Sequence, residues 1–251
     1  MRSEPLPPHA PLHRYYRGEE GGDARRAFVT GLFDETAPHY NGLNRILSFG
    51  SGLRYRQQAL ERAGLRRGMR MADIAVGTGL TARAALNATA GSLTVIGIDA
   101  SLGMLREARA AGLPIALVRG FAEQLPLATG RFDFLTMGYA LRHVADLRNT
   151  FCEYLRVLKP GGRFLILELT RPSGAGVRYA LMRVYLKHVV PFVAQLGPGG
   201  PGTRRLMEYY WDTIDRCVPP ETVLSALRDA GLKDVEHRVF LDVFSEYVGR
   251  T

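Results

Sequence analysis

The sequence predicts an α/β fold, a doubly wound and mostly parallel sheet with N-terminal helices and a helical lid insertion, and three observations carry that expectation. The run Met71-Ala-Asp-Ile-Ala-Val-Gly-Thr-Gly-Leu-Thr81 reads as a buried strand breaking into a glycine-rich turn. A second apolar run, Leu93-Thr-Val-Ile-Gly-Ile-Asp99, ends in an acid, about 20 residues past the turn, where such sheets offer a carboxylate to ribose hydroxyls. From Met71 onward strand-like and helix-like segments alternate, which is the pattern of a parallel sheet covered on both faces.

Taken in order, residues 1–24 read as a disordered tail, with four prolines and a Gly-Glu-Glu-Gly-Gly-Asp stretch. Residues 25–251 then form one domain, since a chain of 251 residues that is 46% hydrophobic can bury one sizeable core. Phe28, Leu32, Phe33 and Ala37 recur at helical spacing, a break is expected near Pro38, and Leu43, Ile46, Leu47, Tyr55 and Leu60 resume the pattern. This helical cap, 25–65, would lie over the mouth of the sheet. Strands are expected over 70–75, 94–99, 115–119 and 132–137, with helices over 81–89, 102–111 and 147–157. The segment 156–168 carries a helix end, the stop Pro160-Gly161-Gly162 and a fully buried strand. An insertion over 171–211 follows, with Leu181, Tyr185, Val189, Phe192 and Leu196 on one helical face and a stop over 197–202. A helix over 221–230 and strands over 235–241 and 244–248 complete the chain.

Composition excludes several classes. The net charge is +9, but only Lys159, Lys187 and Lys233 are lysines, and the arginine pairs are scattered without a run of five or six basic residues. A solvated surface is the simpler reading, and no nucleic-acid platform is expected. Cys152 and Cys217 stand far apart with no C-x-x-C and no metal-ligand spacing, so neither a disulfide framework nor a metal site is implied and a cytoplasmic setting fits. The N-terminus has no apolar signal core, and the most apolar stretch, 177–196, carries Arg178, Arg183, Lys187, His188 and Pro191, too much charge for a span.

The turn points to a nucleoside cofactor. Asp73 lies where it can receive a donor from the cofactor's amino-acid end, and Gly77 and Gly79 let backbone approach a ligand. A dinucleotide fingerprint requires a third glycine where this chain has Ala82, so the spacing favours S-adenosylmethionine while leaving NAD or FAD open.

Several separated stretches then converge. Phe33-Asp34-x-x-Ala37-x-x-Tyr40-Asn41-x-x-Asn44, Leu47-Ser48-Phe49-Gly50, the Gly-Thr-Gly turn, Ala122-Glu123-x-Leu125-Pro126, Leu141-Arg142-His143-Val144 and Arg156-Val-Leu-Lys-Pro-Gly-Gly162 occur in this order. Over about residues 33–248 the chain resembles the UbiE-type ubiquinone/menaquinone biosynthesis C-methyltransferases, a family of Rossmann-like class I S-adenosylmethionine-dependent methyltransferases. The resemblance implies S-adenosylmethionine across the C-terminal strand ends. Thr78 and its glycines would meet the methionine moiety, Asp99 with Ala100 the ribose, Phe121 and Ala122 the adenine, and Gly138 would form the floor under the sulfonium. Tyr40 and Asn44 would close the pocket from above. Tyr185, Tyr209 and Tyr210 would face a greasy aromatic or prenylated acceptor, with carbon methylation of a quinol precursor as the implied reaction. Methylation at oxygen of another aromatic or lipid metabolite and a non-catalytic cofactor-binding partner are the alternatives.

The resemblance implicates Arg142 in deprotonating the acceptor; since an arginine does not itself readily act as a base at neutral pH, it would stabilise a phenolate or order water, with a salt-bridged structural arginine as the alternative. This chain departs from the family by having His143 where the motif has Asn, and an imidazole there could take the proton. The insertion helix would serve as a lid, pack on the core or meet a second subunit, and Arg178, Arg183 and Lys187 would suit peripheral contact with anionic lipid.

Overall fold

The computed structural model describes residues 5–9, 15, 22–47, 50–170, 176–190, 192 and 200–251. Its elements run α1 (Gly22–Leu47), α2 (Gly52–Arg62), β1 (Arg70–Ile74), α3 (Leu80–Ala88), β2 (Thr94–Asp99), α4 (Leu102–Ala110), β3 (Ala116–Arg119) and β4 (Phe132–Gly138). A short 3₁₀ turn, Leu141–His143, leads to α5 (Leu147–Val157) and β5 (Leu158–Leu169). After α6 (Val177–Val184) and its π-helical continuation Tyr185–Val189 come α7 (Gly200–Asp215), α8 (Pro220–Asp229), β6 (Lys233–Phe240) and β7 (Phe244–Arg250).

The seven strands lie in the order β3-β2-β1-β4-β5-β7-β6. The first five are parallel, and β7 pairs antiparallel with both β5 and β6. This is the doubly wound, Rossmann-like arrangement expected, with helices and an antiparallel hairpin added at the far edge. Strand order reverses between β1 and β4, which opens a crevice at their carboxyl ends.

Alternation along the central strands sends side chains to two cores. Phe134, Leu165 and Leu167 pack toward Leu60, Ala82 and Ala85 of α2 and α3. Leu135, Phe164 and Ile166 pack toward Phe151, Tyr154 and Leu227 of α5 and α8. A third cluster joins Leu32 and Leu43 of α1 to Leu206, Met207, Tyr209 and Tyr210 of α7, with Val190 closing it.

Three expectations are corrected. Helix α1 runs unbroken through Pro38. Pro38 cannot donate to the carbonyl of Asp34, yet the same turn is fastened from outside: Asp34 accepts from the Ser101 hydroxyl at 2.6 Å and the Gly103 amide at 2.8 Å. The disordered tail does not extend to residues 5–9. The Leu6 amide donates to Asp146, the Leu6 carbonyl accepts from Leu147, His9 bridges Cys217, and His9 is 1% exposed. The remaining residues before 22, except Tyr15, lie outside those described.

The stop over 197–202 is corrected in its second half, because Gly200 begins α7 and Pro201 sits in the first turn, where its missing N–H has no helical partner to lose. Leu196 and 197–199 lie outside the described residues, as do Ser48 and Phe49. Finally, the apolar face of the insertion helix is not covered as a unit, and of its described members only Tyr185 packs inward. Leu181, Val189 and Phe192 are exposed, while Leu186 and Val190 pack inward and the Tyr185 hydroxyl donates to the Ile46 carbonyl at 2.8 Å. Tyr185 therefore anchors the insertion to α1, and it does not line either cavity described below.

Candidate functional site

At the carboxyl end of β1 the chain leaves the sheet through Ala75 and Gly77, both in left-handed backbone at φ 53° and 55°, and Gly79 at φ 87° caps α3. A Cβ on Gly77 would project into open space, whereas one on Gly79 would press Leu113 at 3.0 Å. The turn thus presents bare backbone to a cleft at Gly77 and seats the helix against its neighbour at Gly79. Only Gly77 of the pair lines the cleft.

Asp99 ends β2 beside this turn. One carboxylate oxygen accepts from the Gly77 amide at 2.8 Å and the other from the Ser101 amide at 2.9 Å. Each oxygen keeps a lone pair for a ligand hydroxyl. Burial pushes this carboxyl up to about 6, with the two amides pulling the other way. Ala100, Phe121, Ala122 and Gly138 line the same cleft, and the guanidinium of Arg26 stands over the Phe121 ring at 5.4 Å.

Asp73 lies beneath the turn, fully buried and outside the cleft lining, and neither of its carboxylate oxygens meets a hydrogen-bond partner among the described residues. Burial pushes the carboxyl up to about 8. An orphaned buried acid below a backbone cradle fits a cationic ammonium, as at the amino-acid end of S-adenosylmethionine, and Asp99 fits its ribose. Because the folded pKa exceeds the unfolded one, the folded state holds the extra proton and the contribution of Asp73 to stability is present below about pH 4. It is lost as the pH rises through about 8. Denaturant midpoints are therefore expected to fall over this window, and Asp73→Asn should flatten the fall; an unaltered profile would remove the neutral buried carboxyl.

The motif on α1 acts as one helical face, since positions 33, 37, 40 and 44 recur at i, i+4, i+7 and i+11. Phe33 packs edge-on to His143 with centroids 5.1 Å apart. Asn41 accepts from the Thr78 hydroxyl at 2.6 Å, so Thr78 locks the cap to the turn and is absent from the cleft lining. The Tyr40 and Tyr210 hydroxyls lie 2.7 Å apart.

A second cavity, of about 360 Å3, opens on the other side of Tyr40. Tyr40 and Tyr139 border both spaces, and Asn44, Tyr55, Arg56, Tyr210, Phe240 and Phe244 surround the second. Tyr139 is a non-glycine residue at φ 63°, and the guanidinium of Arg56 stands over its ring at 4.7 Å. A tyrosine in that backbone region is uncommon and persists only where its surroundings hold it. Nothing in the sequence marked Tyr139. The helical spacing of the α1 motif, by contrast, could have identified Phe33 and Asn41 as contacts across the mouth.

Of the two residues expected at the chemistry, the structure brings His143 to the cleft and leaves Arg142 outside its lining. His143 Nδ1 is 3.2 Å from the Tyr209 hydroxyl and its ring stacks on Tyr209, while Nε2 has no partner among the described residues. Burial, with the charges of Arg142 and Arg25 behind it, holds the imidazole well below its ordinary value, so it is neutral. Tyr209 is wholly buried and orients His143 without lining either cavity.

Arg142 is a buried ion-pair partner. It is 0% exposed and pairs with Glu168, and its Nε donates to Thr213 at 3.3 Å. Its Cζ lies 5.2 Å from the centroid of Tyr210, so it touches the second cavity only through that ring.

Residues 20–243 match the ubiE/COQ5 methyltransferase family. A demethylmenaquinone methyltransferase from Thermus thermophilus is 36% identical over 204 residues, covering 80% of this chain and 90% of that protein. A ubiquinone/menaquinone biosynthesis C-methyltransferase UbiE from Syntrophotalea carbinolica is 35% identical over 211 residues, covering 82% and 86%. Among solved structures, a putative S-adenosyl-L-methionine-dependent methyltransferase from Methanococcus maripaludis aligns with a TM-score of 0.64 at 16% identity, over 87% of this chain and 94% of the other. That likeness speaks to the fold.

Proposed function

The chain belongs to the ubiE/COQ5 methyltransferase family, and from that premise we propose that it methylates a ring carbon of a hydrophobic quinol precursor using S-adenosylmethionine. The observation that carries the reading is the pair of cavities divided by Tyr40 and Tyr139, one built for a nucleoside and the other lined by aromatic rings. An aromatic acceptor in the second cavity would present its edge across this divide to the cofactor cleft.

The cofactor supplies a methyl group already activated by a positive sulfur. The residues of this chain have the remaining work of binding, orientation and exclusion of water. Asp99 would accept the ribose hydroxyls, Asp73, buried behind the turn, would complement the ammonium, and Phe121 and Ala122 would flank the adenine. Gly138 keeps the floor low, since a Cβ there would meet the Thr81 hydroxyl at 2.5 Å. His143 Nε2, neutral and without a partner among the described residues, would accept a hydrogen bond from the acceptor's hydroxyl, which raises electron density on the ring carbon. The sulfur–methyl bond would break as the carbon–methyl bond forms, and the displaced ring proton would pass to solvent water, restoring the aromatic ring. The demethylmenaquinone methyltransferase relative, by its name, acts on a substrate of this class.

Calorimetric titration with S-adenosylmethionine, S-adenosylhomocysteine and NAD, followed by incubation with demethylated quinols, tests the proposal. Binding of the two adenosyl ligands but not NAD, and a mass gain of one methyl located on ring carbon, is the expected result. A methyl on oxygen would overturn the carbon assignment, and no adenosyl binding would overturn the reading as a whole.

A further inference from the structure

Five large apolar side chains stand in solvent on one short segment: Val177 at 76% exposed, Leu181 at 64%, Val184 at 51%, Val189 at 42% and Phe192 at 62%. Positions 177, 181 and 184 share one helical face by their spacing. The segment is held from behind, where Leu186 and Val190 enter the third core cluster, and the Tyr185 and Tyr179 hydroxyls donate to the Ile46 carbonyl and to Asp215. The exposed face is thus a second apolar face on a helix whose first is already satisfied, and it is continuous enough to mark a contact surface.

Charge identifies the occupant. Residues 169–207 contain no Asp or Glu and six Arg or Lys, namely Arg171, Arg178, Arg183, Lys187, Arg204 and Arg205. Arg183 and Lys187 are both exposed beside the apolar face. A second copy laid on this helix would bring Arg183 and Lys187 against the same cations, with no acid on the segment to receive them, on chains that each carry +9. An anionic lipid surface offers the complementary arrangement, with acyl chains to receive the aliphatic residues and phosphates to meet the cations.

We propose that the segment 177–192 lies in the plane of an anionic phospholipid surface, with Val177, Leu181, Val184 and Phe192 inserted and Arg183 and Lys187 at the headgroups. The contact is interfacial, since among the described residues no helix is long and apolar enough to cross a membrane. The inference does not depend on the acceptor's identity. It does assign a use to the exposed face, because Val190 and Tyr185 tie this segment to the layer that carries Tyr40 and Tyr210 at the edge of the second cavity.

The test is co-sedimentation of the full chain with vesicles of phosphatidylcholine alone and of phosphatidylcholine mixed with phosphatidylglycerol. Binding is expected only to the anionic vesicles, weakening at least about tenfold at high salt. The double variant Leu181→Ser with Phe192→Ser should lose binding by about tenfold or more, and Arg183→Gln with Lys187→Gln should lose the preference for anionic lipid. Unchanged thermal melting and S-adenosylmethionine affinity would show that each variant is folded. Wild-type binding insensitive to both variants would overturn the proposal. So would the absence of vesicle binding combined with a dimer in sedimentation velocity that Leu181→Ser and Phe192→Ser abolish, an outcome that would give the face to a second copy.

Discussion

Asp99→Ala is expected to weaken S-adenosylmethionine binding by about 1.5–3 kcal/mol, or roughly 10- to 150-fold, because two charge-assisted bonds to the ribose would be lost together. The carboxylate is already oriented for this purpose, since the Gly77 and Ser101 amides hold one oxygen each. Asp99→Asn keeps one acceptor and should fall between wild type and alanine. The same carboxyl gives the affinity a pH dependence. With its value pushed up to about 6 by burial, it gains a proton as the pH falls through that value, and a neutral acid accepts hydroxyls more weakly. Affinity should therefore hold above about pH 7 and fall below about pH 6, and the fall should be absent in Asp99→Asn. Calorimetry across this range checks both statements. Unchanged affinity in Asp99→Ala, with the melting temperature preserved, would remove the ribose assignment.

The parts of this site that were legible in the sequence are those fixed by local backbone chemistry. A strand, a glycine turn and an acid at the end of the next strand specify the cleft almost without reference to the rest of the chain; Gly77 and Asp99 line it, whereas Asp73 is buried behind the turn. The spacing of the α1 motif fixes one helical face in the same way. The parts that were not legible depend on contacts between distant segments. Pro38 reads locally as a break, but Asp34 secures the turn through Ser101 and Gly103, which lie more than sixty positions away. Residues 5–9 carry no periodicity, and they are ordered because Asp146, Cys217 and Arg25 receive them. Apolar spacing in the insertion identified a helix correctly and left open what covers its apolar face, because periodicity finds a stripe without saying what will lie on it. The second cavity is further from sequence reach still. It forms where α1, α2, the strained Tyr139, α7 and the β6–β7 hairpin meet.

Glu168→Gln is expected to destabilise the protein by about 3–5 kcal/mol, because it leaves the wholly buried guanidinium of Arg142 without its counter-ion. The reverse truncation, Arg142→Met, should cost less. Glu168 can escape its isolation by taking a proton, a route closed to arginine, and burial already pushes its carboxyl above the usual range. That escape has a signature. With a folded pKa raised above the unfolded one, Arg142→Met should be most stable in acid and lose stability as the pH climbs through the raised value. Arg142→Met combined with Glu168→Leu replaces both charges with apolar groups and should recover much of the loss. These variants also decide what Arg142 does. The guanidinium is absent from the cleft lining and bears on Tyr210, whose hydroxyl meets that of Tyr40. If its role is to hold this layer, S-adenosylmethionine affinity and turnover should fall in parallel with the folded fraction, and the double variant should restore them together. Recovered stability and cofactor affinity without recovered turnover would instead return Arg142 to the chemistry, acting on the acceptor through Tyr210.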